Sequence, residues 1–74
     1  MRHTPTPTNR LLRIREVIAA TGLRRSTLYS LIGEGRFPRP VRISERTTAW
    51  LESEVNDWVT ERVAERDAGQ SGAA

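Results

Sequence analysis

A single glycine between two apolar-patterned segments constrains the fold of this chain more than any other feature. The large apolar residues before Gly22 recur at the i, i+3, i+4 spacing of one helix face, and those after it repeat that spacing. They are Ile14, Val17 and Ile18 in the first segment, then Leu28, Leu31 and Ile32 in the second. Because glycine readily adopts the left-handed backbone that closes a helix, the pattern predicts two helices, over about 14–20 and 25–34, joined by a sharp turn. We expect Leu23 to pack in the angle between them.

The residues that follow have the pattern of a β-hairpin. Gly33 and Gly35 are expected to end the second helix. Residues 41–43 then alternate with the period of a half-buried strand, and residues 47–50 are rich in β-branched and aromatic side chains. The polar residues 44–46 are therefore predicted to form the hairpin turn.

A last helix is expected at the C-terminal end of the folded unit. Ser53 is a good N-cap residue for a helix from Glu54 to about Arg66. Its apolar residues form one stripe that is predicted to cover the core, and they are Val55, Trp58, Val59 and Val63. We also place Trp50 and Trp58 in the core, because both fall at packing positions of a small domain.

The short chain limits the protein to one small domain. A chain of 74 residues supports a single small core, which disfavours a cavity that encloses a substrate. We divide it into a flexible N-terminal arm at residues 1–9, a folded domain at residues 10–66 and a disordered C-terminal tail at residues 67–74. The fold class is expected to be mainly α with a small β-hairpin.

Composition excludes several classes of function. The chain has no cysteine and one histidine, His3, so a disulfide framework or a metal site is not expected. No apolar run reaches the about 18 residues of a membrane span, and the N-terminus lacks a signal-peptide pattern. No nucleophile, base and orienting group stand in a recognisable arrangement. We therefore expect a cytoplasmic protein that is not an enzyme and that needs no cofactor, metal, small-molecule ligand or membrane.

The charge of the chain is unevenly distributed. All twelve basic residues are arginine, and the net charge is +3. Residues 10–48 hold nine arginines and three acids, a net charge of +6, whereas residues 49–74 hold two arginines and six acids, a net charge of −4. A basic body suggests an anionic partner, most commonly nucleic acid, although a solvated arginine-rich surface is the simpler alternative.

The outward face of the second predicted helix is the candidate DNA-binding site. Two short helices joined at Gly22 match a helix-turn-helix, in which the second helix enters the major groove. No acid occurs between Glu16 and Glu34. The candidate residues of the helix are Arg24, Arg25, Ser26, Thr27, Tyr29 and Ser30. Those of the hairpin, which would lie on the phosphate backbone or in the minor groove as a wing, are Arg36, Arg39, Arg42 and Arg46.

Several of these residues have a second possible role. Arg25 can contact a base or a phosphate, and Tyr29 can contact DNA or pack beneath the hairpin. Ser26 and Thr27 can donate to phosphate or cap the helix. Arg36 and Arg39 can instead pair with Glu34 or Glu16, in exposed ion pairs of small energetic value. The C-terminal acids are interpreted as a solvated helix face.

Three ordered motifs in this chain resemble the AlpA family of phage-type regulators. They are the segments Leu23–Tyr29, Glu34–Val41 and Trp50–Val55 followed by Trp58, and the resemblance spans about residues 10–66. That family is similar to MerR-like winged helix-turn-helix proteins and small phage excisionases. This chain departs from the family pattern at Arg24, where the family often has a serine that caps the helix. Either Ser26 therefore caps a later helix start, or the cap is weak.

The resemblance implies a DNA-binding regulator of prophage or integrative-element genes. It leaves open a direct role as an excisionase that bends attachment-site DNA. A small protein-interaction module that docks through the helix at 54–66 is the alternative from a different class. Because one recognition helix reads only a few base pairs, the expected partners are double-stranded DNA and further copies of the chain, as a dimer or a cooperative array on DNA.

Overall fold

A computed structural model describes residues 10–73, with side chains through Gly69. The predicted N-terminal arm, residues 1–9, lies outside this range. The described part is a small, mainly helical domain with one three-stranded antiparallel sheet. In chain order the elements are β1 (Leu11–Leu12), α1 (Ile14–Thr21), α2 (Arg25–Gly33), β2 (Val41–Arg42), β3 (Thr48–Leu51) and α3 (Glu52–Ala73).

The core is one cluster to which almost every element contributes a single large side chain. β1, α1, α2, the α2–β2 loop, β3 and α3 contribute, in that order, Leu12, Val17, Leu28, Phe37, Trp50 and Val55. Leu23, in the turn between α1 and α2, is half-buried against this cluster, as predicted. Because each element supplies so little apolar surface, none of them has a core of its own, and the domain folds as one unit.

The turn between the first two helices has the geometry expected of Gly22. Its φ of 74° lies in the left-handed region, and its N–H donates to the Ile18 carbonyl at 2.8 Å. Gly35 ends α2 in the same region, with a φ of 75°. There the N–H of Gly35 donates to the Ile32 carbonyl and that of Arg36 to the Leu31 carbonyl, which is the Schellman pattern. Gly33 is the last helical residue.

The sheet contains one strand more than the sequence predicts. β1 pairs with β3, as Leu11 with Leu51 and Leu12 with Trp50, so β3 is central and the order is β1-β3-β2. A two-residue strand has no periodicity to reveal it, and its partner lies about forty residues away in sequence.

The hairpin is present, with its strands displaced from the prediction. β3 covers 48–51 rather than 47–50, and the turn is closed by the Ile43 N–H donating to the Thr47 carbonyl at 2.8 Å. The expectation of a half-buried first strand is wrong: Val41 is 42% and Ile43 50% exposed. Alternation places both on one face, but the helices pack against the other face, which carries Trp50.

α3 is longer at both ends than the predicted helix. It begins at Glu52 directly after β3, and the Glu52 N–H donates to the Arg10 carbonyl at 2.8 Å, so Ser53 is not its N-cap. At the other end the helix continues to Ala73, so the predicted tail is helical over 67–73. Apart from Gly69 and Gly72, this part of the chain holds no residue that strongly disfavours a helix.

Candidate nucleic-acid interface

α2 presents its outward face to solvent over its whole length. Leu28 is its one fully buried residue, and Leu31 and Ile32 are half-buried against the core. The six predicted contact residues of this region are all exposed, and they are Arg24, Arg25, Ser26, Thr27, Tyr29 and Ser30. The turn at Gly22 therefore brings a continuous surface of hydrogen-bonding side chains to one side of the domain.

The N-terminus of α2 is open rather than capped. Arg24 is the N-cap residue, and within the described residues no side chain caps this helix end. The first N–H with a carbonyl partner is that of Leu28, which donates to the Arg24 carbonyl at 2.9 Å. Neither Ser26 nor Thr27 acts as a cap, so the weak-cap alternative holds. The unpaired amides and the helix dipole favour an anion at this end.

Tyr29 is partly packed and partly exposed. Its ring lies edge-on to the Trp50 ring, with the centroids 6.3 Å apart, yet the residue is 45% exposed. The ring therefore packs against the sheet, and the residue still contributes to the exposed surface of α2. Trp50 is fully buried, as predicted, and its Nε1 donates to the Pro38 carbonyl at 3.1 Å.

The four predicted arginines after α2 are exposed, and two of them have local partners. Arg36 lies 3.5 Å from Glu34, which is one of the pairings that the sequence allows. Arg42 donates to the Glu45 carbonyl at 3.5 Å within the hairpin. Among the described side chains, no ion pair involves Arg39 or Arg46. Arg46 lies in the hairpin turn, where its guanidinium is open to an anionic partner.

Arg10 has a structural role that the sequence analysis missed. Its guanidinium pairs with Glu52 at 2.9 Å and with Glu16 at 3.2 Å, which joins the start of the domain to α1 and α3. Glu16 also accepts a hydrogen bond from the Arg13 N–H at 2.8 Å. Glu16 lies 6 residues and Glu52 lies 42 residues from Arg10 along the chain, and neither spacing gives a local signal for these contacts, so only the fold reveals them.

Acidic side chains gather on a different side of the domain. The groove between residues 35–38 and α3 is lined by four carboxylates, those of Glu54, Asp57, Glu61 and Glu65. Trp58 anchors α3 there: its Nε1 donates to the Arg36 carbonyl at 2.8 Å, and its ring lies 5.0 Å from that of Phe37. Trp58 is half-buried and packs against the core cluster, and it also holds the loop after α2. Arg36 and Arg62 also line this groove, so the four acids leave it with a net charge of −2, which disfavours phosphate inside it.

The distribution of charge over this domain is typical of one class of protein. The domain is small and mainly helical, and it carries a basic, acid-free helix surface and a separate group of acids. These features are compatible with a small DNA-binding domain. Comparison with known families agrees: the model of the family described as prophage CP4-57 regulatory protein (AlpA) matches residues 10–63. The chain belongs to this AlpA family, which confirms the family predicted from the three sequence motifs.

Two relatives are similar over most of the chain. Uncharacterized protein ORF88 of Enterobacteria phage P4 is 47% identical over 60 residues, which cover 81% of this chain and 68% of that protein. DNA-binding transcriptional activator AlpA of Escherichia coli (strain K12) is 29% identical over 59 residues, which cover 72% of this chain and 84% of that protein.

Two further features of the described residues bear on the class. None of the described helices has the length and apolar character needed to cross a membrane. Within the same part of the chain, the His, Cys, Asp and Glu side chains form no group of three or more that could hold a metal ion.

Proposed function

We propose that this chain is a DNA-binding regulator of phage-type or integrative-element genes. The observation that carries the proposal is the acid-free outward face of α2, held by the Gly22 turn on one side of a domain that belongs to the AlpA family. In this proposal α1 and α2 act as a helix-turn-helix, and α2 enters the major groove.

The open N-terminus of α2 meets the phosphate backbone in this arrangement. Its unpaired amides, together with the hydroxyls of Ser26 and Thr27, donate to phosphate oxygens, which fixes the helix in the groove. Arg25, in the first helical turn, reaches a guanine edge, for which an arginine can make two hydrogen bonds. Tyr29 and Ser30, one turn further, line the same surface.

The β2–β3 hairpin acts as a wing beside the recognition helix. Arg39, Arg42 and Arg46 would contact phosphates or the adjacent minor groove, and the edge contact between Tyr29 and Trp50 keeps the hairpin close to α2. Arg36, at the end of α2, would exchange its exposed pairing with Glu34 for a phosphate, because such a surface pair contributes little.

Salt dependence is the first test of this function. If the five candidate arginines other than Arg25 neutralise phosphates, affinity for a duplex should fall about 500-fold between 50 and 200 mM salt. Fluorescence anisotropy with a labelled duplex of the flanking genomic region measures this loss. A module that docks another protein through an apolar helix face would lose little affinity to salt, and a flat salt profile would remove the DNA-binding proposal.

Substitution of two arginines should separate base reading from phosphate contact. Arg25→Ala should cost about 1–3 kcal/mol on the cognate site and relax the preference at one base pair. Arg46→Ala should weaken all duplexes about equally, because phosphate carries no sequence information. Competition between the cognate and a scrambled duplex measures the difference. An Arg25→Ala protein that keeps its full sequence preference would contradict the base contact.

DNA bending distinguishes a simple regulator from an excisionase. A regulator that reads a site without deforming it leaves the duplex straight, whereas the excisionase alternative requires a bend at an attachment site. Energy transfer between dyes at the two ends of a bound duplex measures the bend angle, after a footprint of the flanking region has located the site.

A further inference from the structure

The groove between α3 and the loop after α2 contributes none of its acids to the proposed contact with DNA. It is open to solvent and has a volume of about 820 Å³, which lies within the roughly 300–1,000 Å³ of typical ligand sites. We call it the acidic groove. Its apolar floor includes Leu31, Pro38 and Trp58, and its acids are Glu54, Asp57, Glu61 and Glu65.

The floor of the acidic groove is only partly covered by the protein itself. Leu31 and Trp58 pack against the core cluster, yet both are only half-buried, and Pro38 is half-buried as well. The Trp58 ring is fixed, because its Nε1 donates to the Arg36 carbonyl at 2.8 Å and its centroid lies 5.0 Å from that of the Phe37 ring. The floor is therefore a preformed apolar surface on which a side chain of a ligand can pack.

One guanidinium already lies in the acidic groove, and it belongs to the protein. Arg62 lies over the Trp58 ring, 5.0 Å from the ring centroid. Its Nε and Nη2 donate to the two carboxylate oxygens of Glu65 at 3.1 and 2.6 Å. An aromatic face and a carboxylate that accepts two hydrogen bonds are the features that bind a guanidinium. The groove thus shows, on a side chain of its own, the environment that an arginine of a ligand requires.

Two other acids of the acidic groove have no cationic partner. Glu54 and Asp57 lie one turn apart on α3, both are exposed, and among the described side chains neither forms an ion pair. The helix dipole favours Glu54 in the first turn of α3, but Asp57 lies beyond that turn. Since like charges at this spacing disfavour each other, a cation beside the pair would be stabilised by both carboxylates.

The charge of the acidic groove indicates the class of partner. Its net charge is −2, and each of the two arginines that line it is already paired: Arg62 with Glu65, and Arg36 with Glu34 at 3.5 Å. A groove of this charge repels nucleic acid and attracts a basic ligand. A bare inorganic cation would leave the apolar floor uncovered, whereas a peptide segment can fill both parts of the groove.

We propose that the acidic groove binds a basic, extended segment of a partner protein. An arginine or lysine of the segment lies beside Glu54 and Asp57, and an apolar neighbour packs on Leu31 and Pro38. Arg36 contributes only its carbonyl, which already accepts from Trp58. This contact does not depend on DNA, and it leaves the outward face of α2 exposed.

Titration with a synthetic peptide tests the site. The probe is a capped pentapeptide in which arginines flank a central leucine and glycines form the ends. The chain has two tryptophans, so ¹⁵N-labelled protein gives two indole N–H signals, which Trp58→Phe assigns. We expect the Trp58 signal to shift to saturation and the Trp50 signal to shift less, because Trp50 is fully buried.

Two altered peptides separate the parts of the contact. Citrulline in place of both arginines keeps their shape without the charge, and it should weaken binding several-fold, because the acids of the groove then lose their cations. Glycine in place of the leucine should also weaken binding several-fold, because the floor of the groove is no longer covered.

Two double variants with equal net charge make the result specific to the acidic groove. Glu54→Gln with Asp57→Asn should weaken binding of the arginine peptide roughly fivefold, the loss expected for two exposed charge pairs. Glu45→Gln with Asp67→Asn removes two acids outside the groove, so affinity should stay within about twofold at physiological salt. All four positions are exposed, so both proteins should fold, which circular dichroism verifies.

Several results would overturn the proposed site. They are a Trp58 signal that the peptide does not move, equal binding of the citrulline peptide, and equal weakening by the two double variants. A glycine peptide that binds as tightly as the leucine peptide would reduce the groove to a simple cation site. A Trp58 signal that moves with the concentration of the chain alone would show that a second copy, not another protein, occupies the groove.

Discussion

Trp50→Ala should unfold most of the domain at room temperature. The substitution removes the largest fully buried side chain, and the loss of a buried tryptophan typically costs about 3–5 kcal/mol. A domain of this size has a free energy of unfolding on the order of 5 kcal/mol, so little stability would remain. Urea denaturation followed by circular dichroism measures the change.

Two variants make this result specific to the core. Trp50→Phe keeps most of the apolar volume but leaves the Pro38 carbonyl without its donor, so it should cost about 1–3 kcal/mol and remain measurable. Trp58→Ala should cost less than Trp50→Ala, because Trp58 is only half-buried against Phe37 and the Arg36 carbonyl. A Trp58→Ala protein that is less stable than Trp50→Ala would show that α3, not the sheet, supplies the centre of the core.

Gly22→Val should reduce stability and DNA binding together. At a φ of 74° an L-residue is strained by about 1–2 kcal/mol, and a β-branched side chain adds to this strain. No atom lies within 4 Å of a Cβ at this position, so the cost comes from the backbone and not from a clash. The strained turn would also misplace α2 relative to α1.

Gly33→Ala is the matched control for this substitution. Gly33 is helical, with space for a Cβ, so alanine there should stabilise the domain by about 0.5–1 kcal/mol. Thermal melts and duplex titrations of the two variants at a temperature where both are folded test the pair. A Gly22→Val protein as stable as the parent would contradict the left-handed turn.

Local signals in the sequence predict the helices well. The sequence predicts the first helix over 14–20, and it ends at Thr21; the second is predicted over 25–34, and it ends at Gly33. Apolar spacing and glycine act over a few residues, so they can be read without knowledge of the fold. Exposure of the candidate α2 side chains follows from the same spacing.

Features that depend on distant parts of the chain could not be predicted in this way. β1 exists only because β3 pairs with it, and Ser53 resembles a cap only until Arg10 is known to satisfy the Glu52 N–H. Alternation in β2 indicates two faces but not which one the helices cover, so it predicts the wrong environment for Ile43. The ion pairs of Arg10 likewise require three elements to be in place.

Only a few residues of α2 pack against the rest of the domain, and this limits which positions must be kept when the family diversifies. α2 meets the rest of the domain through Leu28, Leu31 and Ile32 and through the edge contact of Tyr29 with Trp50, so its remaining exposed positions carry no packing constraint. In the proposed contact with DNA, new side chains at those positions would change the base preference without a compensating change in the interior. A regulator built this way can therefore acquire a different operator one substitution at a time, and its recognition surface can be exchanged between relatives as a set of side chains.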